Sequence, residues 1–493
     1  MKKAILAFTV ITSLCTSGLP ASAVTDPVTT ISHFEANSLI TSDGSYWVWG
    51  GQQSVPTQVH GIDDAVESFE SQLVKKEDGS IVFVERDLYL PSDITVHPVP
   101  GLSNITSVHA SWNELLATDQ EGRVFVIPYS GGRPIASTIG NVTQVEGIDQ
   151  VKEIFSFYEV DDHYNHTMRW IFLKKDGTLW RNTSGLEGFE QVRSLSGIIE
   201  IEENLALKED GTVWSFPLRP ISSNDPVKVE GLPTIQKIAT DERSNAAIDR
   251  EGKLWFWGAT LTGSSDGTQV HFQSKPVRLT GIRNVAEVYF IERTLIALTN
   301  DDQLYAASIN REKMPANAKF EQLTSGVTEL QPSTRHLILR KSDGTLWGWG
   351  VNKNAQLGFG DYEFMYNKPV PMQPPVTIVL NEKSVSLTNG VIIRNGQAFI
   401  PLRSVFEQLG AIPTWNAANR TVTIEQKKNG TPPIRIVVNY TTGKTLVNDH
   451  PIMLANDPFI IQGISYLPLR FISESLGAKV DWIKEQRKIV ITM

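Results

Sequence analysis

The chain has 493 residues, 41% hydrophobic and 20% charged, with one cysteine and a formal net charge of −9. That length exceeds one ordinary core, so two or more domains are expected. The acidic balance argues against a nucleic-acid partner, because phosphate binding is dominated by Lys and Arg, and no later segment offers the roughly 18 apolar residues needed for a membrane span.

Lys2 and Lys3 precede an apolar run from Ala4 to Leu14, and Ala21-Ser-Ala23 places small residues ahead of Val24. Residues 1–23 therefore read as a signal peptide, too short for an anchor. Cys15 lies inside it behind Leu14, which spoils the small-residue site of a lipoprotein signal. The exported chain is expected to hold no cysteine, with 43 basic against 54 acidic residues. Export without disulfides fits a bacterial surface or medium better than a eukaryotic secretory route. The expected location is secreted or cell-wall associated.

Over residues 24–360 one phrase recurs. KSDGTLWGWG (341–350) has near copies at 41–50, 174–180, 208–214 and 249–258, and weaker ones at 76–83, 119–126 and 299–306. Asp and Gly tolerate the positive φ that a two-residue hairpin turn demands. Short apolar strands such as Leu205-Ala-Leu207 lead into the turn, and alternating residues such as Leu254 to Trp257 follow it. A second phrase, VHGI (59–62), VEGI (145–148) or VEGL (229–232), separates the hairpins. Each unit thus holds about four short strands, and Gly177, Gly211 and Gly252 lie 34 and 41 residues apart. Units of this kind, repeated seven or eight times, predict the blades of a β-propeller. A solenoid is the alternative, and it would need capping ends.

The stretches 226–258 and 276–350 resemble the regulator-of-chromosome-condensation repeat, and Val351 to Gly358 resembles that family's exit phrase, with Ala355 replacing a glycine. The resemblance covers about residues 30–360 and implies a seven-bladed propeller; eight hairpins against seven separating phrases leave seven or eight blades open.

Residues 361–375, with Pro369, Pro371, Pro374 and Pro375, are expected to be a linker. The segment 376–493 then contains a duplication, 376–428 and 433–493. Residues 395–424 and 462–491 align without a gap, sharing Pro401/Pro468, Arg403/Arg470, Glu407/Glu474, Gly410/Gly477 and Trp415/Trp482. Each copy reads as strand, helix, strand. The pair resembles the copper amine oxidase N-terminal-like stalk domain of Gram-positive surface proteins, an accessory piece for which no copper ligands are implied. The fold class expected is mostly β, a propeller followed by a small α+β domain. Each unit alone is marginal in size, so the copies should pack as one domain, with Trp415 and Trp482 beneath a shared core and only slight contact with the propeller.

The candidate chemistry is sparse. In the Trp-x-Trp pairs 47/49, 255/257 and 347/349, alternation assigns one Trp of each pair to packing between blades; the trailing aromatics Trp180, Trp214, Trp255 and Trp347 are expected to be buried there, and Trp49, Trp257 and Trp349 are left as candidates to stack a ligand. His163 and His166, in Asp161-Asp-His-Tyr-Asn-His166, have metal-type side chains but no third partner in the pattern, so no metal is expected. A buried bridge from Arg403 to Glu407 and from Arg470 to Glu474 is expected in preference to an anion site. No G-x-S-x-G, H-E-x-x-H or phosphate loop occurs. The expectation is a non-enzymatic exported binding or scaffold protein without a cofactor. Its propeller face would recognise an extracellular protein or cell-wall glycan, and its C-terminal module would associate with the envelope. Two alternatives stay open: an inhibitor of a secreted enzyme such as a β-lactamase, implied by analogy with an exported propeller of this repeat, and a propeller enzyme acting on extracellular glycans.

Overall fold

The computed structural model describes residues 28–86, 94–111, 114–128, 135–160, 163, 165–216, 225–241, 243–263, 267–426 and 433–493. The expected signal peptide lies outside the described residues. Eight four-stranded antiparallel sheets follow one another along the chain: 31–58, 65–103, 105–144, 151–191, 198–228, 235–279, 285–325 and 327–371. In each the spatial order equals the sequence order. These are eight propeller blades, one for each hairpin, where the family resemblance implied seven. The stretch expected as a linker contributes Met365–Pro371, the outer strand of blade 8. Proline is compatible with an outer strand because one of its edges needs no ladder hydrogen bonds.

The recurrent phrase has a local physical cause. The turn is a three-residue loop and not the expected two-residue one. Gly177 N–H donates to the Lys174 carbonyl and Lys174 N–H to that of Thr178, each at 2.9 Å. Only the glycine is left-handed, at φ +78° for Gly177, as in a type I turn closed by a glycine bulge. Asp176 Oδ1 accepts from the backbone N–H of Thr178 at 2.9 Å and from its hydroxyl at 2.7 Å. The Thr178 oxygen in turn accepts from Trp180 Nε1 at 3.2 Å. The same relay joins Asp210, Thr212 and Trp214, and Asp343, Thr345 and Trp347. Asp-Gly-Thr-x-Trp is therefore one hydrogen-bonded unit.

The turn also links neighbouring blades. The carbonyls of Gly44, Gly211 and Gly252 accept from Ala65, Ile235 and Val285, the first residues of the next blades, at 3.0, 2.9 and 2.9 Å. A Cβ on Gly44 would sit 2.4 Å from the Asp63 carbonyl oxygen, so the approach requires glycine. The ring closes by side-chain packing: blade 8 sets Ile338 and Leu346 against Phe34, Leu39 and Trp49 of blade 1, and Arg340 Nη1 donates to the Ile31 carbonyl at 2.9 Å.

The C-terminal module is one domain, as its duplication predicts. Thr377–Leu380 of the first copy pairs in parallel with Lys488–Thr492 of the second, and Gln397–Pro401 pairs antiparallel with Ile464–Pro468. Helices α1 (Leu402–Phe406) and α2 (Leu469–Ser475) bury Val405, Phe406 and Ile472 in one core with residues of both copies. Two expectations fail. Trp415 and Trp482 occupy equivalent places, but each is 43% exposed, outside the core. Contact with the propeller is not slight: all but the last residue of the outer strand of blade 1, Gln53–Gln58, is buried, under Asn389, Gly390, Phe399 and Tyr466 of the module.

Candidate functional site

The tryptophans do not form a ligand face. Trp49, Trp257 and Trp349 are buried at 0, 6 and 8% exposure, and Trp49 Nε1 donates to the Gln356 carbonyl at 2.8 Å, Trp349 Nε1 to that of Asn367 at 3.1 Å. Conversely, Trp180, Trp214, Trp255 and Trp347 are only half-buried, with Lys174 over Trp180 and Lys341 over Trp347. The reason is geometric. Both faces of a blade are covered by neighbouring blades, so alternation cannot mark a free face. Depth along the strand separates the members of a pair in blades 6 and 8, where the Trp nearer the turn is half-buried and the one two positions on is buried, whereas Trp47 and Trp49 of blade 1 are both buried.

The histidine cluster lies partly outside the described residues, which exclude Asp161, Asp162 and Tyr164. His163 is exposed, and His166 meets Tyr158 edge-on at 6.0 Å. Among the described residues no three His, Cys, Asp or Glu side chains are grouped to hold a metal. Arg403 lies 3.6 Å from Glu407 on the surface, at 82 and 57% side-chain exposure, so the expected buried bridge is an exposed one.

What the fold does bring together lies on the propeller axis. The first strands of several blades carry charged residues between apolar ones, as in Ile199-Glu-Ile-Glu-Glu203 and Val285-Ala-Glu-Val-Tyr289. Of their apolar members Ile201, Val285 and Val288 are buried, and Ile199 is exposed. The loops after these strands surround a cavity of about 1040 Å³ at the mouth of the ring, lined from blades 1, 2, 5, 6, 7 and 8. Among the described residues five carboxylates reach it, Glu35, Glu202, Glu203, Asp241 and Glu292, against one guanidinium, Arg335, which pairs with Glu292. Phe69, Tyr289 and Phe290 supply apolar wall. Burial, with Glu200 and Glu153 nearby, pushes the Glu202 carboxyl up to about 7. Tyr289 donates to Glu287 at 2.9 Å, and burial beside these carboxylates raises its phenol well above the usual range. His336 Nε2 donates to the Ala36 carbonyl at 3.0 Å, and burial keeps the imidazole neutral to lower pH. The mouth can hold a cationic group by charge and by contact with the aromatic rings. Alternating charge in the first strands was the available sequence clue, overshadowed by the hairpin phrase.

Comparison with known proteins bears on the two parts differently. Residues 379–491 match the copper amine oxidase N-terminal domain family. The module contains one histidine, His450, and no cysteine, so it lacks the imidazole or thiolate set that copper prefers. No curated protein matches the chain. Among solved structures the chain is similar to human WBSCR16, at 14% identity and a TM-score of 0.41 over 59% of this chain and 87% of that one. It is similar also to yeast RCC1 (Prp20) in a structure with Kap60, at 14% identity and 0.42 over 75 and 91%, and to Prp20p of Saccharomyces cerevisiae, at 13% and 0.39 over 63 and 90%. The propeller assignment rests on the eight sheets themselves. Among the described residues no helix is long and apolar enough to cross a membrane.

Proposed function

We propose that the protein is an exported, non-enzymatic binding scaffold: the axial mouth engages a basic segment of an extracellular protein, and the C-terminal module associates with the cell envelope. The observation that carries this reading is the charge of the mouth, where the described residues set five carboxylates against one guanidinium around an open cavity. Residues 24–375 hold 30 Lys and Arg against 46 Asp and Glu, so the surrounding field steers cations toward the site. The aromatic wall favours the methylene stems and charged heads of Lys or Arg.

The test is titration of the full chain with decalysine, followed by fluorescence anisotropy. Binding is expected at low ionic strength, weakening about tenfold toward about 0.5 M salt as charges are screened. Glu35→Gln combined with Glu202→Gln should weaken it, and decaglutamate should not bind. Equal binding of both peptides, or binding indifferent to the substitutions, overturns the reading.

A further inference from the structure

The two copies of the C-terminal module hold the same pair of side chains, an Arg at the second position of the helix and a Trp in the strand that follows, yet use them differently. In the first copy Arg403 is tied to Glu407 at 3.6 Å, and Trp415 meets the Tyr440 ring at 5.8 Å. In the second, among the described residues, Arg470 makes no ion pair and Trp482 no ring contact. Both instead line a groove of about 650 Å³, within the range of small-molecule sites.

The groove has an apolar floor, including Val480 and Ile489, and a rim of amides. Asn395 Nδ2 donates to Asn456 Oδ1 at 2.8 Å, and Asn456 Nδ2 to Gln397 Oε1 at 3.0 Å. A carboxamide has more donors and acceptors than this chain uses, so the rim retains capacity for hydroxyl groups. Asp481, also at the groove, is paired with Lys479 at 2.8 Å, which leaves Arg470 as the uncompensated charge. The module is moreover the cationic end of an acidic chain: residues 376–493 hold 13 Lys and Arg against 8 Asp and Glu.

We propose that this groove binds an acidic saccharide. The C–H face of a sugar ring lies on the Trp482 indole, its hydroxyls bond the Asn395 and Asn456 amides, and its carboxylate or phosphate pairs with the Arg470 fork. The proposal rests on the envelope-association half of the function above and names the site and ligand class for it.

The full chain is titrated with tetragalacturonate, a phosphomannan oligosaccharide and neutral chitotetraose, following Trp fluorescence and heat. At least one acidic probe should bind, and which one identifies the acidic group; chitotetraose should bind about tenfold more weakly, the worth of one charge-assisted contact. Arg470→Gln should erase the difference between acidic and neutral probes. Trp482→Ala should weaken all of them, and Trp415→Ala should change nothing. Failure of both acidic probes, wild-type binding by both groove variants, or an equal loss in Trp415→Ala overturns the proposal. Retention on isolated cell-wall sacculi is measured in parallel. Retention that survives both groove substitutions removes the groove and leaves the envelope reading standing, whereas oligosaccharide binding without retention does the reverse.

Discussion

Asn389 of the C-terminal module and Ser54 of blade 1 are both fully buried, and Asn389 Oδ1 accepts the Ser54 backbone N–H at 3.1 Å while its Nδ2 donates to Ser54 Oγ at 3.1 Å. Beside them the Gly390 N–H donates to Thr57 Oγ1 at 2.9 Å, and a Cβ on Gly390 would lie 2.2 Å from the Pro56 carbonyl oxygen. The module is covalently continuous with blade 8 and packs on the outer strand of blade 1, so it spans the seam where the ring closes. No strand is exchanged between blades at that seam among the described residues. Asn389→Ala leaves buried polar groups of blade 1 unpaired and should cost about 2–3 kcal/mol, and Gly390→Val should cost more. The check is urea unfolding. Separate transitions for propeller and module, with the propeller unaffected by either change, would contradict a clasp.

Depth along the hairpin makes a second difference measurable. Trp49 is fully buried and bonded to Gln356, so Trp49→Ala should destabilise the fold by about 3–5 kcal/mol. Trp347, half-buried near the turn with Lys341 above its ring, should lose about 1–2 kcal/mol on the same change. Thermal unfolding of the two variants separates them. Similar losses would mean that the rim residues carry as much packing as the deep ones.

The repeat was legible because its interactions are local. Asp176, Thr178 and Trp180 fall within five residues, and their spacing alone fixes the relay. The depth of each Trp was not legible, since period-two alternation reports two faces and a blade has neighbours on both. The contact of Asn389 with Ser54 joins residues 335 apart, and neither residue type announces a partner. The duplication did foretell the module's shared core: the two copies meet where Ile400 pairs with Leu467, positions equivalent in the alignment. The axial carboxylates were visible as residues but not as a group, because only ring closure brings 35, 202, 241 and 292 to one mouth.

Arg86 is a buried cation whose donors meet neutral oxygens among the described residues: Trp49 O at 2.9 Å, Gly50 O at 3.1 Å, and the side-chain oxygens of Gln53 and Gln72 at 3.2 Å each. Burial pushes the guanidinium down to about 10, still charged at neutral pH. Three separate nitrogens serve these acceptors, a spread that one ammonium cannot reproduce. Arg86→Lys should therefore fail to rescue, and both it and Arg86→Met should cost about 3 kcal/mol or more, as carbonyls at the end of blade 1 lose their donors. Denaturant midpoints decide; a wild-type midpoint for the Lys variant would show that charge alone suffices.

Glu202 provides a pH signature for the axial mouth. Burial and the neighbouring Glu200 and Glu153 raise its carboxyl to about 7 in the folded chain, against about 4.3 when unfolded. The folded state therefore holds a proton that the unfolded state has released. Below about pH 4 both states are protonated and the group is neutral toward stability. Between about 4.3 and 7 the cost of keeping it buried grows, reaching about 3 kcal/mol above pH 7. Glu202→Gln, which mimics the protonated form, should match the wild type near pH 4 and unfold at higher temperature at pH 8. The gain should develop across that window. The same substitution removes one charge from the mouth, so decalysine should bind the wild type more tightly at pH 8 than at pH 6, and the Gln variant should lack that part of the pH dependence. A variant that is no more stable than the wild type at pH 8, or whose gain is independent of pH, would place Glu202 in contact with water or with a compensating cation.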